Sequence, residues 1–237
     1  MNISPDNIIL IQFGVVKISA TLLFTWIVMV FLVTGSYLIT RYLSSDVEIA
    51  RGQNLLEILV SGLRSQIRDV SQQEADPFLP FIGTLFIFIL TANLLSVIPG
   101  FQSPTASLST TTALAICVFV AVPVFGVGDR GWLDYLKQYT KPTIFMLPFT
   151  VLGEFSRTLA LAVRLYGNMM SGSVIAAILL GFTPLFFPVV MQLFGLLTGT
   201  IQAYIFSILA MVYIASATTA HQQVANKFSR SPNKGGN

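Results

Sequence analysis

Charge is scarce in this chain. Of 237 residues only 10% are Asp, Glu, Lys or Arg, against about a quarter in an ordinary globular protein, while 54% are hydrophobic. That balance excludes a soluble globular domain and implies an integral membrane protein. Cysteine and histidine are nearly absent, with one of each, which excludes a disulfide framework and a His/Cys metal cluster. Cys117, inside an apolar run, reads as a small packing hydrophobe. There is neither a Gly-x-x-x-x-Gly-Lys-Ser/Thr loop nor a dinucleotide fingerprint. No cofactor, metal or nucleic acid is therefore expected on this chain, and any nucleotide chemistry belongs to a partner.

What is there is a series of long apolar runs. The charge-free stretch from Ile18 to Thr40 is too long for a signal-peptide core and lacks a small-x-small cleavage pattern, so it reads as a retained span over 18–40. Asp76 and Asp129 bracket a second charge-free stretch, broken at Ser96 to Ser109 by Pro99, Gly100 and Pro104 into spans over 78–98 and 107–128. The last hydrophobic region divides at Gly181 to Pro188 into helices over 143–181 and 186–222, followed by a tail over 223–237. Thr143 to Leu180 would extend about 60 Å at 1.5 Å per residue, twice the hydrocarbon thickness. This helix must tilt steeply or bend near Pro148 and Gly153, and the last two helices form a tilted hairpin. Ser45 to Glu48 form a capping-box pattern, after which Leu56, Leu59, Leu63, Ile67 and Val70 repeat at helical spacing opposite charges. A helix over 45–74 is expected flat on the cytoplasmic membrane face. The fold class is thus all-α membrane protein, with about five spans and one interfacial helix.

Ten of the thirteen Lys and Arg residues lie in Arg41 to Arg68, Arg130 to Lys141 and Lys227 to Lys234, and none lies near Gln102 or Thr183. The positive-inside rule makes those three segments cytoplasmic, with the amino terminus outside and the carboxyl terminus inside.

Between Pro142 and Asn226 the only charged side chains are Glu154, Arg157 and Arg164. A charge at mid-bilayer costs about 3 kcal/mol on insertion scales, so an intramembrane Arg faces a partner or a wet pathway. Glu154, Arg157, Leu161, Arg164, Asn168 and Ser171 follow at steps of three or four, which gathers the polar groups on one face, expected to look inward. Glu154 and Arg157 are spaced for a local ion pair. Arg164 has no such acid; Glu154 is ten residues, about 15 Å, away along the axis. Its counter-charge belongs on another protein. On the next helix Gln192, Gly195, Gly199 and Gln202 share a face, where the Gly-x-x-x-Gly spacing permits close helix approach and brings Gln202 toward the guanidinium. Plain helix packing also accounts for the two glycines.

The string Glu154-Phe-Ser-Arg-Thr-Leu-Ala-Leu-Ala-Val-Arg164-Leu-Tyr-Gly-Asn168-Met resembles the signature of the a subunit of rotary F-type ATP synthases. Asn93-Leu-Leu-Ser-Val-Ile-Pro-Gly100, Pro104-Thr-Ala-Ser107, and Ile201-Gln202-Ala-Tyr-Ile-Phe followed by Tyr213 resemble its other blocks. The resemblance implies a stator that offers two offset ion half-channels beside a rotating c-subunit ring. A b-type peripheral stalk subunit, the nucleotide-hydrolysing sector and membrane lipid are the other implied partners, and a bacterial plasma membrane is the implied location. Arg164 corresponds to the family's essential arginine, Asn168 and Gln202 to polar positions near it, and Glu154 and Arg157 to positions toward the cytoplasmic end. A fixed cation favours the ionised ring carboxylate over its ion-loaded form and so separates the half-channels. Lys is a poor substitute, because guanidinium stays charged and forked.

Three positions depart from the family pattern. Ser173 stands where many proton-conducting members carry Glu, Gly195 where some carry His, and Ser107 where Asp is frequent. A water-filled path lined by Ser171, Ser173, Asn168 and Thr hydroxyls is the alternative to a titratable relay, and it suits sodium at least as well as protons. Sodium coupling is the expectation. Other classes fit less well. A secondary transporter would show related halves; an intramembrane hydrolase would need more than His221; a voltage sensor would need more than two arginines seven residues apart.

Overall fold

The computed structural model describes residues 9–13, 16–41, 51–98, 101–128, 147–182 and 187–229. Among the described residues six α-helices carry the fold: α1 Ala20–Arg41, α2 Arg51–Ser71, α3 Leu79–Leu95, α4 Leu108–Gly128, α5 Leu147–Phe182 and α6 Phe187–Ser229. Four contain apolar stretches long enough to cross a membrane: Ala20–Leu38, Leu108–Val127, Val151–Leu179 and Val189–Thr218. The 17-residue α3 is a shorter apolar helix. The protein is an all-α, multi-pass membrane protein, with one addition at its amino end. There β1 Ile9–Phe13 pairs antiparallel with β2 Val16–Ser19, Phe13 opposite Val16 and Gln12 opposite Lys17, directly ahead of α1.

The core lies where α3, α4, α5 and α6 meet. Ile82, Ile89, Val118, Leu161, Leu165, Phe206, Met211 and Ile214 are each no more than 1% exposed. Outward, large apolar side chains such as Val30, Phe31, Phe149 and Leu193 are open, as a helical bundle with lipid for solvent requires. Pro123 sits inside α4, a position that membrane helices tolerate better than soluble ones.

Helix α5 is continuous over 36 residues, about 54 Å at 1.5 Å per residue, with no break at Pro148 or Gly153. Pro148 falls in its first turn, where the missing N–H has no intrahelical partner to lose. Helix α6 runs to Ser229, past the expected end at 222. The polar stretch His221 to Lys227 ends the apolar run but contains no Gly or Pro to end a helix.

Leu63 and Ile67 of α2 are buried, and Leu56, Leu59 and Val70 are half-buried. The apolar stripe packs on the membrane helices: a Cβ at Gly83 would meet Leu63 Cδ1 at 3.8 Å. Tyr204 donates to Gln66 Oε1 at 2.7 Å, and Gln73 Nε2 donates to Thr218 Oγ1 at 3.4 Å. Gln72, with φ of 55°, turns the chain out of α2, and its N–H donates to Arg68 O. The capping-box residues Ser45 to Glu48, the basic segment Arg130 to Lys141, and Pro184 lie outside the described residues.

Candidate functional site

Helices α5 and α6 lie side by side and antiparallel, tied at two levels. The Arg157 guanidinium carbon is 5.8 Å from the centre of the Tyr213 ring, and Asn168 Nδ2 donates to Thr198 O at 3.4 Å. Between those ties the antiparallel register brings Arg164 level with Gln202 to Tyr204.

The polar stripe of α5 does not all look inward. Leu161, Ala162 and Leu165 are the buried residues, 1%, 3% and 0% exposed, whereas Arg164 is open and Asn168 is half-buried. Steps of three and four drift around a helix that repeats at 3.6, so the stripe crosses the edge of the buried face instead of following it. Val163, next to Arg164 in the chain, is exposed, as is Leu159 farther round the same helix, and Leu197 and Ile201 are exposed on α6. Next to the guanidinium the residues are small: Ala160, Gly167 and Ser171 are all exposed, and a Cβ on Gly167 would meet nothing within 4 Å. Sequence spacing alone did not single out Ala160 or Gly167. Among the described residues no carboxylate pairs with Arg164; the two ion pairs are Arg64–Asp76 at 2.6 Å and Glu154–Arg157 at 3.8 Å.

Glu154 is the more sheltered partner of its pair, with 19% of its side chain exposed against 54% for Arg157. Arg157 thus reaches from Glu154 on its own helix to the Tyr213 face on α6, a cation–π contact at the same end of the hairpin. Ser171 and Ser173 are exposed and turn back on their own helix, donating to Asn168 O at 3.1 Å and Met170 O at 2.9 Å.

Gln192 donates to Ser96 O at 3.4 Å and Val97 O at 2.8 Å, so it caps the carboxyl end of α3. The two glycines of α6 differ. A Cβ at Gly195 would meet nothing within 4 Å, but one at Gly199 would meet Asn93 Cβ, Cγ and Nδ2 at 3.1 to 3.2 Å. Close helix approach therefore occurs at Gly199 alone. Gln202, one turn on, is only 6% exposed, and its Nε2 is buried without a partner among the described residues. No hydrogen bond joins it to Arg164.

Sequence reasoning missed the pivot of the interior. Asn93, 1% exposed, donates through Nδ2 to Gly199 O at 2.7 Å and accepts from Thr105 Oγ1 at 2.8 Å. Ser103 Oγ lies 2.7 Å from Thr105 Oγ1 and donates to Ala92 O at 3.2 Å. A lone Asn in the run from Phe86 to Leu95 was the available signal, since a buried amide in lipid depth needs a partner.

These features define a class: a two-helix membrane hairpin that carries an exposed cation with no carboxylate partner among the described residues. The comparisons with known proteins then place the chain in a family. The model of the ATP synthase A chain family matches residues 22–215. ATP synthase subunit a 2 of Acaryochloris marina is 61% identical over 222 residues, 94% of this chain and 95% of that one. ATP synthase subunit a 2 of Picosynechococcus is 59% identical over 223 residues, 94% and 96% of the two chains. ATP synthase subunit a of Albidiferax ferrireducens is 58% identical over 218 residues, 92% and 94%. The chain belongs to the ATP synthase A chain family.

Proposed function

We propose that this chain is the stator that holds the two ion half-channels of an F-type ATP synthase against a c-subunit ring, and that Arg164 is its gate. The observation that carries this reading is the open Arg164, with small, exposed Ala160, Gly167 and Ser171 on its face of α5 and exposed Val163 next to it in the chain. Lipid is a costly neighbour for that guanidinium. A partner helix bearing a carboxylate removes the cost, and the small residues let its backbone come near.

The gating follows from electrostatics. A ring carboxylate that faces Arg164 is favoured in its ionised, empty form, so an arriving loaded carboxylate gives up its ion before it passes. Once turned away into lipid, the carboxylate must be neutral or ion-loaded, because a bare charge there is costly. Loading on one side of Arg164 and release on the other then couple ion flow to rotation. Glu154, Arg157 and Tyr213 mark the cytoplasmic end; Asn168, Gln202 and the polar residues of α3 and the following loop mark the outer half. In this orientation the amino terminus is outside and the carboxyl terminus is in the cytoplasm of a bacterial cell. The b-type stalk subunit and the nucleotide sector complete the machine.

Sodium is the proposed ion. The buried polar side chains of the outer half, Asn93, Ser103, Thr105, Ser107, Thr111 and Gln202, are amides and hydroxyls. Neutral oxygens suit a hard cation, and none of these groups titrates near neutral pH. Two experiments test the two parts. Arg164→Ala is expected to abolish coupled ATP synthesis in an assembled complex, and wild-type synthesis in that variant overturns the gate. ATP-driven sodium uptake into vesicles is expected; its absence together with protonophore-sensitive acidification overturns sodium.

A further inference from the structure

The end of α3 holds more oxygen than its protons can serve. Asn93 has its amide orientation fixed by α6: the Gly199 carbonyl at 2.7 Å requires a donor, so Nδ2 faces it and Oδ1 faces Thr105. Thr105 spends its one proton on that oxygen. Ser103 also has one proton, yet its Oγ lies close to both Thr105 Oγ1 at 2.7 Å and Ala92 O at 3.2 Å. Three oxygen–oxygen contacts therefore share two protons. All four residues are buried: Ala92 and Thr105 at 0%, Asn93 at 1% and Ser103 at 6%. On the same loop Gln102 Oε1 is a further buried acceptor without a donor among the described residues.

We propose that this cluster, Asn93 Oδ1, Ser103 Oγ, Thr105 Oγ1 and the Ala92 carbonyl, is a transit site for a sodium ion in the outer half of the protein; the proposal rests on the sodium reading above. A bound cation takes the place of the missing donor, and the two hydroxyls turn their lone pairs toward it. The carbonyls at a helix carboxyl terminus carry the negative end of the macrodipole, and α3 ends at Leu95, three residues after Ala92. Interrupted helices in membrane transporters coordinate sodium at such ends. With no carboxylate in the set, binding is weak enough for the ion to leave again, as conduction requires.

A bare proton is the poorer occupant. A hydroxyl chain that runs from Ser103 through Thr105 into an amide oxygen stops there, because that oxygen is a very weak base and the amide passes a proton on only by giving up an N–H. Asn93 blocks a relay but completes a cation cage.

The test is ATP synthesis by the reconstituted complex at a fixed membrane potential, with external sodium varied. Thr105→Val, nearly isosteric but lacking the oxygen, is expected to raise the KM for sodium about tenfold with the KM for ADP unchanged, while Thr105→Ser stays within about twofold of wild type. Ser103→Ala leaves the Asn93 bonds in place, is expected to shift the sodium KM in the same direction, and serves if Thr105→Val fails to assemble. A sodium-dependent wild type with unchanged KM in the assembled variants overturns the site and leaves sodium coupling standing. Synthesis that is indifferent to sodium in the wild type overturns both.

Discussion

The interior of the α3–α6 contact and the open face of α5 handle polar groups in opposite ways. Inside, Asn93 serves a backbone carbonyl of α6 and a loop hydroxyl at once, so both ends of its amide are engaged within this chain. Outside, Arg164 stands level with that region but among exposed apolar and small residues, without a carboxylate partner among the described residues. Saturated polar groups in a membrane hold helices together; unsaturated ones ask for something to come. Gln202 belongs to the interior by burial and to the open face by its unpaired nitrogen.

Substitutions break this contrast in graded steps. The largest effect on function is expected from Arg164→Ala, with coupled synthesis lost and the complex intact. Next, Asn93→Leu removes both bonds, leaving Gly199 O without its side-chain donor and Thr105 with only Ser103, a cost of about 2 kcal/mol that lowers the denaturation midpoint of the detergent-solubilised complex. Gln202→Leu separates stability from activity. Burying leucine in place of an unpaired amide holds or raises stability by about 1 kcal/mol, while synthesis falls. If stability falls with activity, Gln202 has an internal partner and belongs wholly to the saturated region. The smallest change is expected from Arg64→Gln. Its pair with Asp76 has side chains 51% and 69% exposed, and such pairs contribute at most about 1 kcal/mol, so thermal stability and transport stay near wild type.

How far the sequence is legible follows the same division. Arg164 was conspicuous because charge is so rare around it, and the spans were readable because each apolar run ends at charges or at Pro and Gly. The α2 stripe of Leu63 and Ile67 announced a buried face, although not that α6 would cover part of it through Tyr204 and Thr218. Pairing among neutral groups was hidden. Nothing in the local pattern links Asn93 to Gly199, 106 residues away, or distinguishes Gly199 from Gly195. Such choices depend on how whole helices settle against one another. Helix α6 runs beyond the apolar stretch for a different reason: loss of hydropathy marks the limit of a membrane run, whereas helices end where capping or backbone chemistry ends them.

Single-cysteine cross-linking to the ring tests the central contrast most directly. In a Cys117→Ala background, with one cysteine placed beside the ring carboxylate, Val163→Cys and Gly167→Cys are expected to form cross-links in membranes. Ala162→Cys and Leu165→Cys, on the buried side of the same helix, are expected to form none. Cross-links from Ala162→Cys or Leu165→Cys in the absence of any from Gly167→Cys would contradict the account, because the ring would then face the interior and Arg164 would face lipid.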